Sequence, residues 1–271
     1  MDKDQMMHHR WVLPDGTPSN AREIFLSRWS AAASAAGLVC DHLGTVDGHA
    51  LELFGHPQCA GKGVRLLITA GFHGEEPAGP WGLLQWLQTQ GGDWQQRFAG
   101  RADIRLIPLV NATGFQMGRR FNDRGENPNR GFNLAIDPTR PSAEGALLIQ
   151  HASLLREASR DGVLSCHEDI AADAAYVYTL ESQAQPSARS QALVATLERY
   201  LPRHEDGLVD HCPVHDGIVF NQLDGSFEAW LFREGARYGA CLETPGRQAI
   251  ATRIAAQAGM IESFVQNALE I

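Results

Sequence analysis

The feature that most restricts this chain is the run VRLLITAGF at residues 64–72, which is apolar at nearly every position instead of every second one. A strand without polar alternation is buried on both faces, so its sheet needs a layer of helices on each side. The flanking pattern supplies them. Helices are predicted over 21–38 with Ser19 as the cap and Gly37 near the end, over 77–90 with Pro77 in the first turn, and over 142–159, 187–200, 227–233 and 247–269. Strands are predicted at 39–46 and 50–54, joined by an Asp47-Gly48 turn, then at 103–110, 163–166, 176–180, 218–220 and 238–242. Helices alternating with buried strands predict an α/β fold, a three-layer α/β/α sandwich around a mixed, mostly parallel sheet. The 271 residues suffice for such a domain, and no repeat, low-complexity tract or linker divides them, so 1–271 reads as a single domain.

Composition narrows the function classes. A formal charge of −9 argues against a general nucleic-acid binder, whose affinity comes from neutralising phosphates with Lys and Arg. No stretch approaches the roughly 18–20 uninterrupted apolar residues of a membrane span. The N-terminus, MDKDQMMHHRWVLPDG, has no apolar core and is not read as a secretory signal. The five cysteines are scattered and form no CxxC pair, which fits free thiols in a reducing compartment and makes the cytoplasm the expectation.

Residues 111–140 are the exception to the periodic pattern. A structureless connection of this length is usually functional. It holds five arginines (Arg119, Arg120, Arg124, Arg130, Arg140) against Asp123, Glu126 and Asp137. A positive loop on an acidic protein points to a bound anionic group.

Three predicted strands end next to residues suited to metal or acid–base chemistry. His73 and Glu76 follow the first at HxxE spacing, where an imidazole and a carboxylate on one tight turn can converge on Zn²⁺. Alone the spacing is weak, since His and Glu are common enough to produce it by chance. His49 and Glu52 show the same spacing inside a predicted strand, where they point to opposite faces and read as surface residues. His167 follows strand 163–166 and Glu243 follows strand 238–242, at the sheet edge where open α/β folds place their sites. Two histidines and one glutamate with an open position form a catalytic zinc set, and a second glutamate can serve as general base. Elsewhere, His211 and His215 are separated by Pro213, which prevents a helical pair. They read as loop residues, with a loop metal site as the alternative. His8 and His9 read as a disordered terminus and His151 as a helix packing residue, while Glu75, Glu168 and Asp169 are candidates to hydrogen-bond the ligands.

In these motifs the sequence resembles the zinc carboxypeptidases related to carboxypeptidase A, over about 64–245. HGEEPAG resembles the family's leading zinc-ligand motif, which implies His73 and Glu76 as ligands, and SCHED matches the third ligand at His167. GACLETPG matches the segment of the catalytic glutamate, at Glu243. Arg120, followed ten positions later by Asn129-Arg130, looks like the family's oxyanion arginine and its clamp for a terminal carboxylate. The chemistry is consistent: a guanidinium fork matches a carboxylate bidentately, and an arginine beside the scissile carbonyl holds the forming oxyanion.

Residues 224–239 resemble the specificity-pocket segment, with Phe227 at the selective position. An aromatic there does not favour a basic substrate side chain; a one-residue slip puts Glu228 there and favours one. Phe220 stands where digestive members carry a mobile tyrosine. The resemblance therefore implies one zinc ion and hydrolysis of a peptide or peptide-like amide next to a free carboxylate, as in compact intracellular bacterial members without a pro-segment. The alternative is an N-acyl amino acid amidohydrolase of the succinylglutamate desuccinylase/aspartoacylase type. The 28 residues after Glu243 read as one helix and not the β-rich extension usual in those relatives, which favours the peptidase. The expected partner is a small peptide-like substrate, with neither nucleic acid nor membrane.

Overall fold

A computed structural model describes residues 11–270; His8 and His9, read above as a disordered terminus, lie outside them. The chain opens with α1 (Arg22–Ala35) and the hairpin β1 (Val39–Val46) and β2 (His49–Gly55). Then follow β3 (Val64–Ala70), α2 (Ala78–Gln90), α3 (Trp94–Phe98), β4 (Ala102–Ile107) and α4 (Ala112–Met117). Next come α5 (Ala143–Gln150), α6 (Ala152–Ala158), β5 (Gly162–Asp169), β6 (Tyr176–Leu180) and α7 (Ala188–Leu197). The last elements are β7 (Gly207–Val209), β8 (Cys212–Val214), β9 (Ile218–Phe220), α8 (Phe227–Arg233), β10 (Gly239–Pro245) and α9 (Ile250–Leu269).

Eight strands form one sheet in the order β1-β2-β4-β3-β5-β10-β6-β9. β3 runs parallel to β4 and β5, β5 parallel to β10, and β6 parallel to β9; the pairs β1–β2, β2–β4 and β6–β10 are antiparallel. Alternate residues of one strand feed different cores. Leu66, Ile68 and Ala70 pack with α1, α2, α7 and α9, while Leu67 packs with α5, α6 and α8 on the other face. The result is the predicted three-layer α/β/α sandwich with a mixed sheet. Among the described residues no helix is long and apolar enough to cross a membrane, and all five cysteines are unpaired.

Several local expectations are corrected. Ser19 does not cap α1: the helix starts at Arg22 with Ala21 at its N-cap, and Ser19 instead gives its carbonyl to the Trp81 indole N–H at 2.6 Å. The helix expected over 142–159 is broken at His151, whose ring nitrogen Nε2 lies 2.6 Å from the Leu43 carbonyl. The 111–140 segment contains α4, capped by the Asn111 side chain, which accepts from Gly114 N–H. Two histidines lie in loops as read from the sequence: His211 sits at the turn between β7 and β8 with φ of 66°, and His215 is exposed beside Asp206. His49 and Glu52 do not meet, since His49 faces Arg22 at 3.0 Å.

Strands β5 and β10 run longer than predicted, so His167 and Glu243 lie inside them and not beyond their ends. Beneath this end of the sheet lies a buried ion pair, Glu168 with Arg253 of α9. Glu168 also accepts from Ala78 N–H at the start of α2, at 2.7 Å, and from the Thr244 hydroxyl of β10 at 3.3 Å. One carboxylate therefore joins β5, β10, α2 and α9. Arg253→Met should destabilise the protein by about 3–5 kcal/mol, because it leaves Glu168 charged and buried, whereas the double variant Glu168→Gln/Arg253→Met should regain most of that loss. Urea unfolding of the three proteins checks this; equal losses in single and double variants would contradict it.

Candidate metal centre

The site forms where β3, β5 and β10 reach the same edge. Glu243 is directly opposite His167 in the parallel β5–β10 register, and Tyr176 is opposite Glu243 on β6. Cross-strand partners point to the same face, so His167, Glu243 and Tyr176 share one side of the sheet. His73 and Glu76 arrive on the tight turn after β3. That turn is held by Asn20, whose side-chain amide donates to both Gly74 O and Phe115 O at 2.8 Å. A Cβ on Gly74 would meet the Gly114 carbonyl carbon at 1.9 Å, so only glycine allows this approach.

Glu76 sits between the two imidazoles. Its Oε1 is 2.6 Å from His73 Nδ1 and its Oε2 is 2.8 Å from His167 Nδ1, and all three side chains are buried. Their ligand atoms lie within 4.8 Å of one another, and this is the sole such cluster found among the described residues. Asn127 Oδ1 lies 3.0 Å from His73 Nε2 and also accepts the Asn129 backbone N–H at 3.0 Å, which fixes the amide orientation. His73 therefore faces an oxygen on both ring nitrogens, while a neutral imidazole carries one N–H. Burial lowers His73 to about 4, which keeps it neutral near pH 7. A cation between Nδ1 and Glu76 satisfies the contact that lacks a proton. Two imidazole nitrogens, His167 giving up its proton to the cation, and a carboxylate form the donor set that suits zinc, so the residues fit a metal.

The charges around the cluster are uneven. Burial disfavours protonation of His167, but Glu76 above all, with Glu243 and Glu228, raises it to about 8. Burial lifts Glu243 to about 8; His167 opposes that and Glu76 and Asp169 add to it. A divalent cation at the cluster favours the ionised form of Glu243. The Cys241 thiol donates to Glu243 Oε1 at 3.5 Å. Burial raises Glu75 to about 7, assisted by Glu76 and opposed by Arg120.

The arginines converge less tightly. Arg120 Nη1 lies 3.3 Å from Glu76 Oε1 and 3.5 Å from Glu75 Oε1, at the mouth of a cavity of about 990 Å³ that also exposes Asn129 and Arg130. Arg130 donates to the Asn129 carbonyl at 2.7 Å and lies 3.4 Å from Asp224. Asn129 is buried and links two elements. Its Oδ1 accepts Phe227 N–H at 2.8 Å, and its Nδ2 lies 3.2 Å from His167 Nε2. Phe227 does not line the cavity. Its ring is buried against Phe72, Phe132 and Trp230, and its neighbours Ser226 and Glu228 line the cavity instead.

Sequence reasoning missed Asn127, Asn20, Tyr176 and Tyr178, which carry no motif signal and reach the site through the fold alone. The three carboxylates considered as ligand supports act elsewhere: Glu75 meets Arg120, Glu168 meets Arg253, and Asp169 accepts the Tyr176 hydroxyl at 3.1 Å. Phe220, in place of the mobile tyrosine, is half-buried and packs against the core.

Comparisons with known proteins place this geometry. Residues 62–202 match the model of the succinylglutamate desuccinylase/aspartoacylase catalytic domain. The crystal structure of a protein from Shewanella amazonensis SB2B described as a putative metallopeptidase is 44% identical, with a TM-score of 0.89 over 95% of this chain and 97% of that one. A similarly described protein from Shewanella baltica OS155 is 42% identical, with a TM-score of 0.90 over 95% and 97%. A metallo-carboxypeptidase from Burkholderia cenocepacia, 20% identical with a TM-score of 0.63 over 90% of this chain and 69% of that one, shares the fold. No protein of curated function matches the sequence.

Zinc should bind the purified protein, with an affinity that falls as pH drops below about 8, because a proton on His167 then competes for Nδ1. Asn127→Ala should weaken zinc by about 10–100-fold, since the His73 ring loses the acceptor that orients it. Competition with a chromophoric chelator measures both; an affinity unaffected by the substitution would remove Asn127 from the site.

Proposed function

Because the chain belongs to the succinylglutamate desuccinylase/aspartoacylase catalytic-domain family, a branch of the zinc carboxypeptidase-like metallohydrolases, we propose that it hydrolyses an amide bond next to a free carboxylate. The observation that carries this reading is the pairing of the His73–Glu76–His167 cluster with Glu243 across the β5–β10 register. Zinc, held by those three side chains, supplies Lewis acidity that polarises a carbonyl and lowers the pKa of water towards ~7.

The chain's own residues do the remaining work. Glu243, in its ionised form, takes a proton from the attacking water and passes it to the departing amine as the C–N bond breaks. The water oxygen ends in the new acid and both its protons are accounted for, one on that acid or the solvent and one on the amine. Arg120, facing the cavity beside Glu75 and Glu76, is placed to stabilise negative charge on the former carbonyl oxygen. Arg130 offers its guanidinium fork to the substrate carboxylate in exchange for Asp224. Asn129 lines the cavity beside Arg130, and its Nδ2 carries two hydrogens that the same carboxylate can accept.

Two substrate classes meet these requirements: a peptide with a free C-terminus, and an N-acyl amino acid. The family match supports the second as strongly as the Shewanella structures support the first. Incubating the zinc-loaded protein with free-acid dipeptides and N-acyl amino acids separates them by the product released, a C-terminal residue from a peptide or a small carboxylic acid.

Glu243→Gln should retain zinc and lose about 10²–10⁴-fold in kcat, the usual range for a general acid–base group. Turnover near the wild-type rate would remove Glu243 from the reaction. Arg130→Ala should raise KM for free-acid substrates far more than for their amidated counterparts, and steady-state kinetics showing equal losses on both would refute the clamp.

A further inference from the structure

The proposed general base is held by fewer contacts than the side chains around it. Among the described residues, the Glu243 carboxylate takes a single hydrogen bond, from Cys241 Sγ to Oε1 at 3.5 Å. The other polar groups nearby are engaged elsewhere. The Tyr176 hydroxyl donates to Asp169, Arg120 spans Glu75 and Glu76, and His167 faces Glu76 with Nδ1 and Asn129 with Nε2. Orientation matters here, because a reacting group misplaced by about 1 Å can cost about 10²-fold in rate.

We infer that Cys241 is a positioning residue for the proposed hydrolysis: its thiol holds the Glu243 carboxylate in the orientation that reaches the attacking water. The inference rests on the general-base role given to Glu243 above and adds the residue through which strand β10 controls it. Two residues apart on one strand, the two side chains leave the same face of the sheet, separated by about 6.6 Å along it. Neither backbone position is free to move. Cys241 is paired with Ser165 on β5 and Tyr178 on β6, and Glu243 with His167 and Tyr176 on the same two strands. The Cys241 side chain is buried at the wall of the cavity, directly beside the carboxylate it contacts.

A thiol suits this place for two reasons. It is a weak donor, so it aims the carboxylate while taking little basicity from it. A guanidinium or amide on the same oxygen would stabilise the ionised form more and depress its proton affinity. The thiol also keeps its own proton. Burial above all, and then the charge of Glu243, holds Cys241 well above the usual thiol range, so it stays a donor and is not a nucleophile. With Oε1 turned to the thiol, Oε2 is the oxygen left to accept the proton of water.

Infrared spectroscopy tests the contact without turnover, because a hydrogen-bonded thiol absorbs at a lower S–H frequency than a free one. The difference between zinc-loaded wild type and Glu243→Ala should show one S–H band displaced to higher frequency in the variant. The same difference taken in a Cys241→Ser background should lack that band. No displaced band, or one that persists in Cys241→Ser, overturns the inference; the first difference decides alone if Cys241→Ser does not fold.

Steady-state kinetics then test the role, on whichever member of the dipeptide and N-acyl amino acid panel turns over fastest. Cys241→Ala should lose about tenfold in kcat with KM and zinc affinity within about twofold of wild type, and Cys241→Ser should recover to within about threefold. Added to Glu243→Gln, Cys241→Ala should cost less than about twofold more, because both act through one carboxylate. Full kcat in Cys241→Ala, no recovery in Cys241→Ser, or a full tenfold loss on top of Glu243→Gln overturns the role of Cys241 alone. The displaced S–H band with no hydrolysis across the panel overturns the amide reading alone.

Discussion

The arrangement depends on one buried carboxylate, Glu76, shared between two imidazoles. Both of its oxygens face a ring Nδ1, and the backbone N–H of Glu168 adds a third contact at 3.2 Å. Burying a carboxylate is unfavourable unless its lone pairs are satisfied, and here the groups that face them come from two chain segments far apart in sequence. The turn after β3 and the end of β5 must therefore adopt one relative position. Gly74 permits the turn to lie against α4, and Asn20 fastens it there.

The second constraint is the sheet register. Parallel pairing of β5 with β10 places Glu243 opposite His167, and antiparallel pairing of β6 with β10 adds Tyr176 and Tyr178 on the same face. A slip of one residue would turn all of these side chains to the other face, into the core formed with α2 and α9. The apolar residues that alternate with them, Leu242, Ala240, Cys166 and Leu164, prevent that slip because they fill that core. The geometry of the site is thus a by-product of hydrophobic alternation in three adjacent strands. The polar residues on their open face are supported from below by the buried pair Glu168–Arg253.

Selectivity is set by different parts of the molecule. The metal-competent cluster sits on strands and a braced turn, whereas the cavity wall is made from the 111–140 segment, the β7–β8 hairpin and α8. Asn129 couples the two, touching His167 with one end of its amide and the start of α8 with the other.

The order of strands and helices, the sandwich class and the four residues at the sheet edge were legible in the sequence, because they follow from local apolar periodicity and from spacing within short motifs. His73 and Glu76 share one turn, and every other member of the quartet terminates or lies near the end of an apolar run. What the sequence left open depended on contacts between distant segments. Phe227 and Glu228 are neighbours, and nothing local says which faces the cavity; only packing of the Phe227 ring against Phe72, Phe132 and Trp230 turns Glu228 outward. Asn127 and Asn20 look like ordinary loop residues until the folded chain carries them to His73 and Gly74. Local pattern determines which residues can react, and long-range packing decides which of their neighbours hold, orient and select.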